Sequence, residues 1–112
     1  MVKKAASCCF GARLRQARER VGLPQDKLSV MIGLDEGCSS ARISRYETGV
    51  HEPAFDIARK LAQVLGVTVT YFYCEEDWLA EMVLRLQGLT PAQRVGLEVW
   101  PNSTEKLDEC CM

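Results

Sequence analysis

The chain has 112 residues, 47% of them hydrophobic and 26% charged, with a formal net charge of −1 and six cysteines. That length makes one small domain with appendages, and no apolar run approaches the roughly 18 residues of a membrane span. Lys3 and Lys4 are followed by no long apolar stretch, which argues against a secretory signal peptide and predicts a cytoplasmic protein.

The small net charge hides an asymmetry. Residues 1–60 hold 11 Lys/Arg against 7 Asp/Glu, whereas residues 61–112 hold 3 against 8. A basic N-terminal half suits an anionic partner, so nucleic acid stays open as a ligand for that half. One histidine, no nucleophile elbow, no phosphate loop and no clustered ligands argue against an enzyme, a metal site or a cofactor. The cysteines are Cys8, Cys9, Cys38, Cys74, Cys110 and Cys111, with no Cys-x-x-Cys or Cys/His zinc spacing. Free thiols are expected, Cys38 and Cys74 serving as small structural residues.

In chain order, residues 1–9 read as a flexible arm. Phe10, Leu14, Ala17 and Val21 recur every three or four residues and predict a helix over Phe10–Val21. Gly22-Leu23-Pro24 breaks it. A second helix is predicted over Gln25–Ile32 with Leu28, Met31 and Ile32 inward. Gly33–Cys38 then forms a turn carrying Asp35 and Glu36.

Ser39–Gly49 reads as a third helix, Ser-Ser-Ala-Arg-Ile-Ser-Arg-Tyr-Glu-Thr-Gly. Ser39 suits the N-cap and Gly49 the left-handed residue past the end. Ile43 and Tyr46 share a face and should be buried. Small Ser40 and Ala41 near the N-terminus let that end press close to another surface, where the positive end of the helix dipole favours an anion. DNA supplies the anion, and its major groove admits a helix.

Pro53 marks a fourth helix, with Ile57, Ala58, Leu61, Ala62 and Leu65 inward and Gly66 as its stop. Thr68 is expected to cap a short fifth helix, Val69–Tyr73, with Val69 and Phe72 facing the core. Asp77–Leu86 is strongly amphipathic through Trp78, Leu79, Met82, Val83 and Leu86. Thr90-Pro91-Ala92-Gln93 is a capping box for a last helix running to Val99. Residues 101–112 are expected to be a disordered tail. The domain reading is therefore 1–9 arm, 10–74 five-helix domain, 75–100 helical extension and 101–112 tail.

The pattern Ser-x-x-x-Ile-Ser-Arg-Tyr-Glu-x-Gly at residues 39–49 resembles the recognition helix of the helix-turn-helix transcriptional regulators related to lambda repressor and Cro, the XRE family. Leu14 and Arg18, Gly22-Leu23-Pro24-Gln25, Pro53 and Leu65-Gly66-Val67 extend the resemblance over about Phe10–Phe72. It implies an all-α fold, a five-helix lambda-repressor-like domain with one or two extra C-terminal helices. The turn between the second and third helices is longer here than the family's usual one.

The resemblance places DNA base contacts at Ser40, Ala41, Arg42 and Arg45, with a solvated Arg42 and a phosphate-bound Arg45 as the plainer alternatives. Arg45 has the reach for a two-pronged contact to guanine. Phosphate contacts fall to Gln25, Ser39, Thr48 and His51. Arg18 and Glu47 are expected to form a structural ion pair. The partner implied is double-stranded DNA, bound by a homodimer acting as a transcriptional regulator, more in the manner of a repressor than an activator. Trp78, Leu79, Met82, Val83 and Leu86 either form the dimer seam or pack back on the core. The alternative is a protein-interaction module on the same fold, such as the antitoxin of a toxin–antitoxin pair.

Overall fold

The computed structural model describes residues 2–33 and 39–99. Residues 34–38 of the longer turn, Cys38 among them, and the expected disordered tail with Cys110 and Cys111 lie outside them. Among the described residues every regular element is helical: α1 Val2–Val21, α2 Gln25–Met31, α3 Ser39–Thr48, α4 Phe55–Leu65, a 3₁₀ helix Val69–Tyr73, α5 Asp77–Gln87 and α6 Pro91–Val99. No helix among them is long and apolar enough to cross a membrane.

Helix α1 begins at Val2, so the expected arm is helical rather than loose. Lys3, Lys4, Ala5 and Ala6 are strong helix formers with no breaker among them, and local propensity extends the helix outward from its packed part. Phe10, Leu14 and Ala17 enter the core as their spacing predicts. Val21 does not. It ends the helix in an exposed position, and Leu23, just past the turn, packs against that end of the core instead.

Helix α2 buries Leu28, Ser29 and Ile32, while Met31 is 58% exposed. The inward arc lies on the Ser29 side of Leu28, not on the Met31 side as expected. Ser29 is small enough for that contact, and its hydroxyl donates to the Asp26 carbonyl at 2.8 Å, so no polar group is stranded by burial.

Helix α4 buries Ala58, Leu61, Ala62 and Leu65, with Ile57 half-buried. It starts at Phe55, two residues after Pro53. Ala54 remains extended at the cap and supplies the first helical acceptor, to the Ala58 N–H at 2.9 Å. The fifth helix is a 3₁₀ turn. Thr68 stands at its cap position, but its hydroxyl makes no capping bond. Phe72 is the centre of the core: its ring lies 4.8 Å from that of Phe10 and 6.1 Å from that of Tyr71. Cys9 and Cys74 are free thiols. Burial pushes the Cys9 thiol up, so it remains protonated and donates to the Cys74 carbonyl at 2.9 Å.

Two polar clamps fix α5. At its start, Arg13 of α1 is only 5% exposed. Its Nε donates to the Cys74 carbonyl at 2.8 Å, one Nη donates to Gln16 Oε1 at 3.0 Å, and the other reaches Asp77 Oδ1 at 3.0 Å. The Tyr71 hydroxyl donates to the same Gln16 oxygen at 3.2 Å. At its end, Gln87 Nε2 donates to the Gly66 carbonyl at 2.8 Å, and Gln87 Oε1 accepts the Thr68 N–H at 3.1 Å. Helix α5 thereby lies on the body through buried Ala80 and the partly buried Val83 and Leu84. Val83 is turned inward because it shares a face with Ala80, three residues earlier. It does not belong with the outward residues Trp78, Leu79, Met82 and Leu86. The predicted capping box starts α6: Gln93 Oε1 accepts the Thr90 N–H at 2.9 Å, and the Gln93 N–H donates to Thr90 Oγ1 at 3.2 Å.

Replacing Arg13 by Met removes the guanidinium clamp and keeps most of the side-chain volume. The expected loss is about 1–3 kcal/mol, read from urea unfolding. An unchanged midpoint would show that the clamp contributes nothing.

Candidate nucleic-acid interface

Helix α3 presents two different sides. Ile43 and Tyr46 are buried against the bundle, as their spacing requires. Ala41, Arg42 and Arg45 are exposed on the other side. Ser39 and Ser40 lie in its first turn; Ser39 is the first helical residue rather than a cap outside the helix. At the far end Gly49 has φ 84°, a left-handed conformation natural to glycine. The chain then folds back so that the His51 N–H donates to the Arg45 carbonyl at 3.2 Å. The His51 side chain is exposed.

The last turn of α3 carries a carboxylate that would repel a phosphate if left open. It is not open: the Glu47 side chain is 3% exposed. Arg18 Nε donates to Glu47 Oε2 at 2.5 Å and Arg18 Nη2 to Oε1 at 3.2 Å, a two-pronged contact between α1 and α3. Arg18 Nη1 also holds the Leu23 carbonyl at 3.1 Å. The hydrogen bond to Glu47 pushes the Arg18 guanidinium above its usual range, against the opposing effect of burial. From the start of α2, Gln25 Nε2 donates to Glu47 Oε1 at 3.0 Å. Three helices therefore meet on one carboxylate, and its charge is cancelled inside the fold.

The remaining candidate side chains differ in what they have free. An amide nitrogen carries two hydrogens, and the Gln25 bond to Glu47 uses one. Thr48 Oγ1 donates back to the Ser44 carbonyl at 3.0 Å, or to that of Arg45 at 3.3 Å, so its hydrogen is held by its own helix. A phosphate would have to displace that bond.

Two structural residues of α1 are missed by local pattern: Arg13, which clamps α5, and Gly11, which faces α3. Arg13 looks like one more surface cation among the arginines of α1, and only its distant partners reveal it as buried. Gly11 sits in the middle of α1, where glycine costs about 1 kcal/mol relative to alanine. A side chain there would collide with the backbone of Tyr46 and Glu47. The available signal was the glycine itself, whose cost inside a helical pattern calls for a packing reason.

Removing the Arg18 guanidinium while Glu47 stays buried should be severe. Arg18→Met is expected to cost roughly 3 kcal/mol, and Arg18→Met with Glu47→Leu should recover most of that loss. Thermal or urea unfolding of the single and double variants checks this. Equal losses in both would mean that the pair acts by packing alone.

Residues 14–72, more than half of the chain, match the family model described as Helix-turn-helix. No curated protein matches. Among solved structures the chain is similar to the transcriptional regulator BswR, with 39% sequence identity, 84% of this chain and 93% of that chain covered, and a TM-score of 0.78. The chain belongs to the helix-turn-helix regulators of the XRE family, related to lambda repressor and Cro.

Proposed function

We propose that this chain is a sequence-specific double-stranded DNA-binding regulator, acts as a homodimer and represses by occupying its site. The observation that carries the reading is the make-up of α3: exposed cations at Arg42 and Arg45, with the one carboxylate of that helix's last turn, Glu47, neutralised from behind by Arg18. A convex, small-residue and cationic helix face suits the major groove. The likeness to a transcriptional regulator supports the same reading. In it Arg45 contacts guanine, Ser40 and Ala41 take neighbouring base edges, and Arg42 takes a base or phosphate. Gln25, Ser39 and His51 hold phosphates, Gln25 through its second amide hydrogen. Thr48 joins them only by giving up its helix carbonyl.

The dimer rests on α5 and α6. Trp78 is 63% exposed, and Leu79, Met82 and Leu86 are also outward. Val95 and Leu97 on α6 add further exposed apolar surface. A second copy would cover these residues and set two α3 helices against half-sites one DNA turn apart.

Duplexes retained from a random pool should carry two-fold-related half-sites. Affinity for them should fall steeply with salt, because several phosphates are neutralised on binding. Arg45→Ala should lower that affinity by about 1–3 kcal/mol and relax the sequence preference, with Ser40→Ala a smaller loss. Retention that ignores salt, or binding indifferent to both substitutions, would favour a protein partner on this face.

Met82→Glu with Leu86→Glu should leave the melting temperature near wild type, since both residues point outward. The same pair should convert a dimeric mass to a monomeric one in analytical ultracentrifugation. A wild-type chain that stays monomeric at micromolar concentration with duplex added would remove the dimer from the proposal.

A further inference from the structure

Helix α1 touches Glu47 at two places. Arg18 grips its carboxylate, as described above. Gly11, seven residues earlier and therefore on the same side of α1, faces its backbone. A Cβ at Gly11 would lie 2.4 Å from the Glu47 carbonyl oxygen, 2.6 Å from that of Tyr46 and 2.8 Å from the Glu47 carbonyl carbon. All three atoms are main chain, so no flexible side chain stands there to turn aside. To restore a contact of 3.4 Å, the last turn of α3 would have to retreat by about 1 Å.

The direction of that retreat matters for DNA reading. Gly11 is buried, and Leu14, between it and Arg18 on α1, is fully buried. The α1 side of this contact is therefore backed by the core. The α3 side carries Arg45, two residues before Glu47, on its open face. Movement at the contact therefore falls on α3, and it stretches the hydrogen bond by which Gln25 of α2 holds Glu47.

We propose that Gly11 is a positioning residue for sequence reading: its missing side chain sets how deeply the last turn of α3 seats on α1, and so where Arg45 stands. The proposal rests on the DNA-binding reading above. Bidentate contacts to a base tolerate little displacement, whereas phosphate attraction acts over a Debye length.

The test uses the full chain, a duplex selected by the wild type from a random pool, and a scrambled duplex of the same length. Gly11→Ala should weaken binding to the selected duplex about ten- to a hundredfold, while scrambled-duplex binding and its salt slope persist. Leu61→Ala, which removes a fully buried side chain from α4, controls for stability. It should lower the melting temperature yet keep the preference for the selected duplex. In a second measurement without DNA, the amide NMR shifts caused by Gly11→Ala should centre on Arg45–His51.

Equal discrimination by Gly11→Ala and wild type overturns the proposal. So do shifts confined to α1, or a Gly11→Ala chain that stays unfolded even with a protecting osmolyte, since glycine there would then be a requirement of folding alone. If the wild type retains no duplex at all, the DNA-binding reading falls and takes the reading role of Gly11 with it. The NMR shifts still decide whether Gly11 sets the seat of α3.

Discussion

The buried carboxylate of Glu47 is the point on which this architecture turns. Taking a carboxylate out of water is expensive, and an arginine alone often fails to offset that cost. Here the arrangement is more complete: two guanidinium nitrogens of Arg18 and the amide of Gln25 all donate to Glu47. The gain is less in stability than in definition. A directional network joins α1, the start of α2 and the end of α3, and only one mutual placement satisfies it. The open side of α3 is thereby left with Ala41 and the cations Arg42 and Arg45.

Glycine and arginine divide the work at this junction. Apolar packing of Ile43 and Tyr46 brings α3 to the bundle but is weakly directional. The Arg18 contact fixes rotation and register, and the bare backbone at Gly11 fixes depth. In the proposed DNA-reading role of α3 a rigid seat matters, because contacts to base edges must be held within a fraction of an ångström. The electrostatic half of DNA binding makes no such demand. It needs only a positive field, which the N-terminal half of the chain provides.

The C-terminal helices solve a different problem. Helix α5 is tied down at both ends, by Arg13 to Asp77 and by Gln87 to the turn at Gly66. Between those ties it settles its small side, Ala80, onto the core and holds its bulky side, Trp78, Leu79, Met82 and Leu86, outward. Of this stripe Val83 packs back on the core, while the other four residues stay outward, where the proposed second copy would meet them. The ties at both ends hold that outward face in place on the bundle.

Much of this was legible in the residues themselves. Phe10, Leu14 and Ala17 announce α1, Ala58, Leu61, Ala62 and Leu65 announce α4, and Thr90 with Gln93 announces the start of α6. These signals work because each involves side chains within a turn or so of one another, where helical geometry alone decides who meets whom. The α3 motif likewise carried its own inward and outward sides. What the chain could not disclose locally is anything decided by residues far apart in it. Arg13 can be buried because its partners, the Cys74 carbonyl and the Asp77 carboxylate, reach it from 61 and 64 positions away. Met31 is exposed because the neighbours of α2 lie on the Ser29 side. Gly11 is required because the backbone of Tyr46 and Glu47 passes where a side chain would be. Periodicity names the helices and their greasy sides; the distance and rotation between two helices arise only when their surfaces meet.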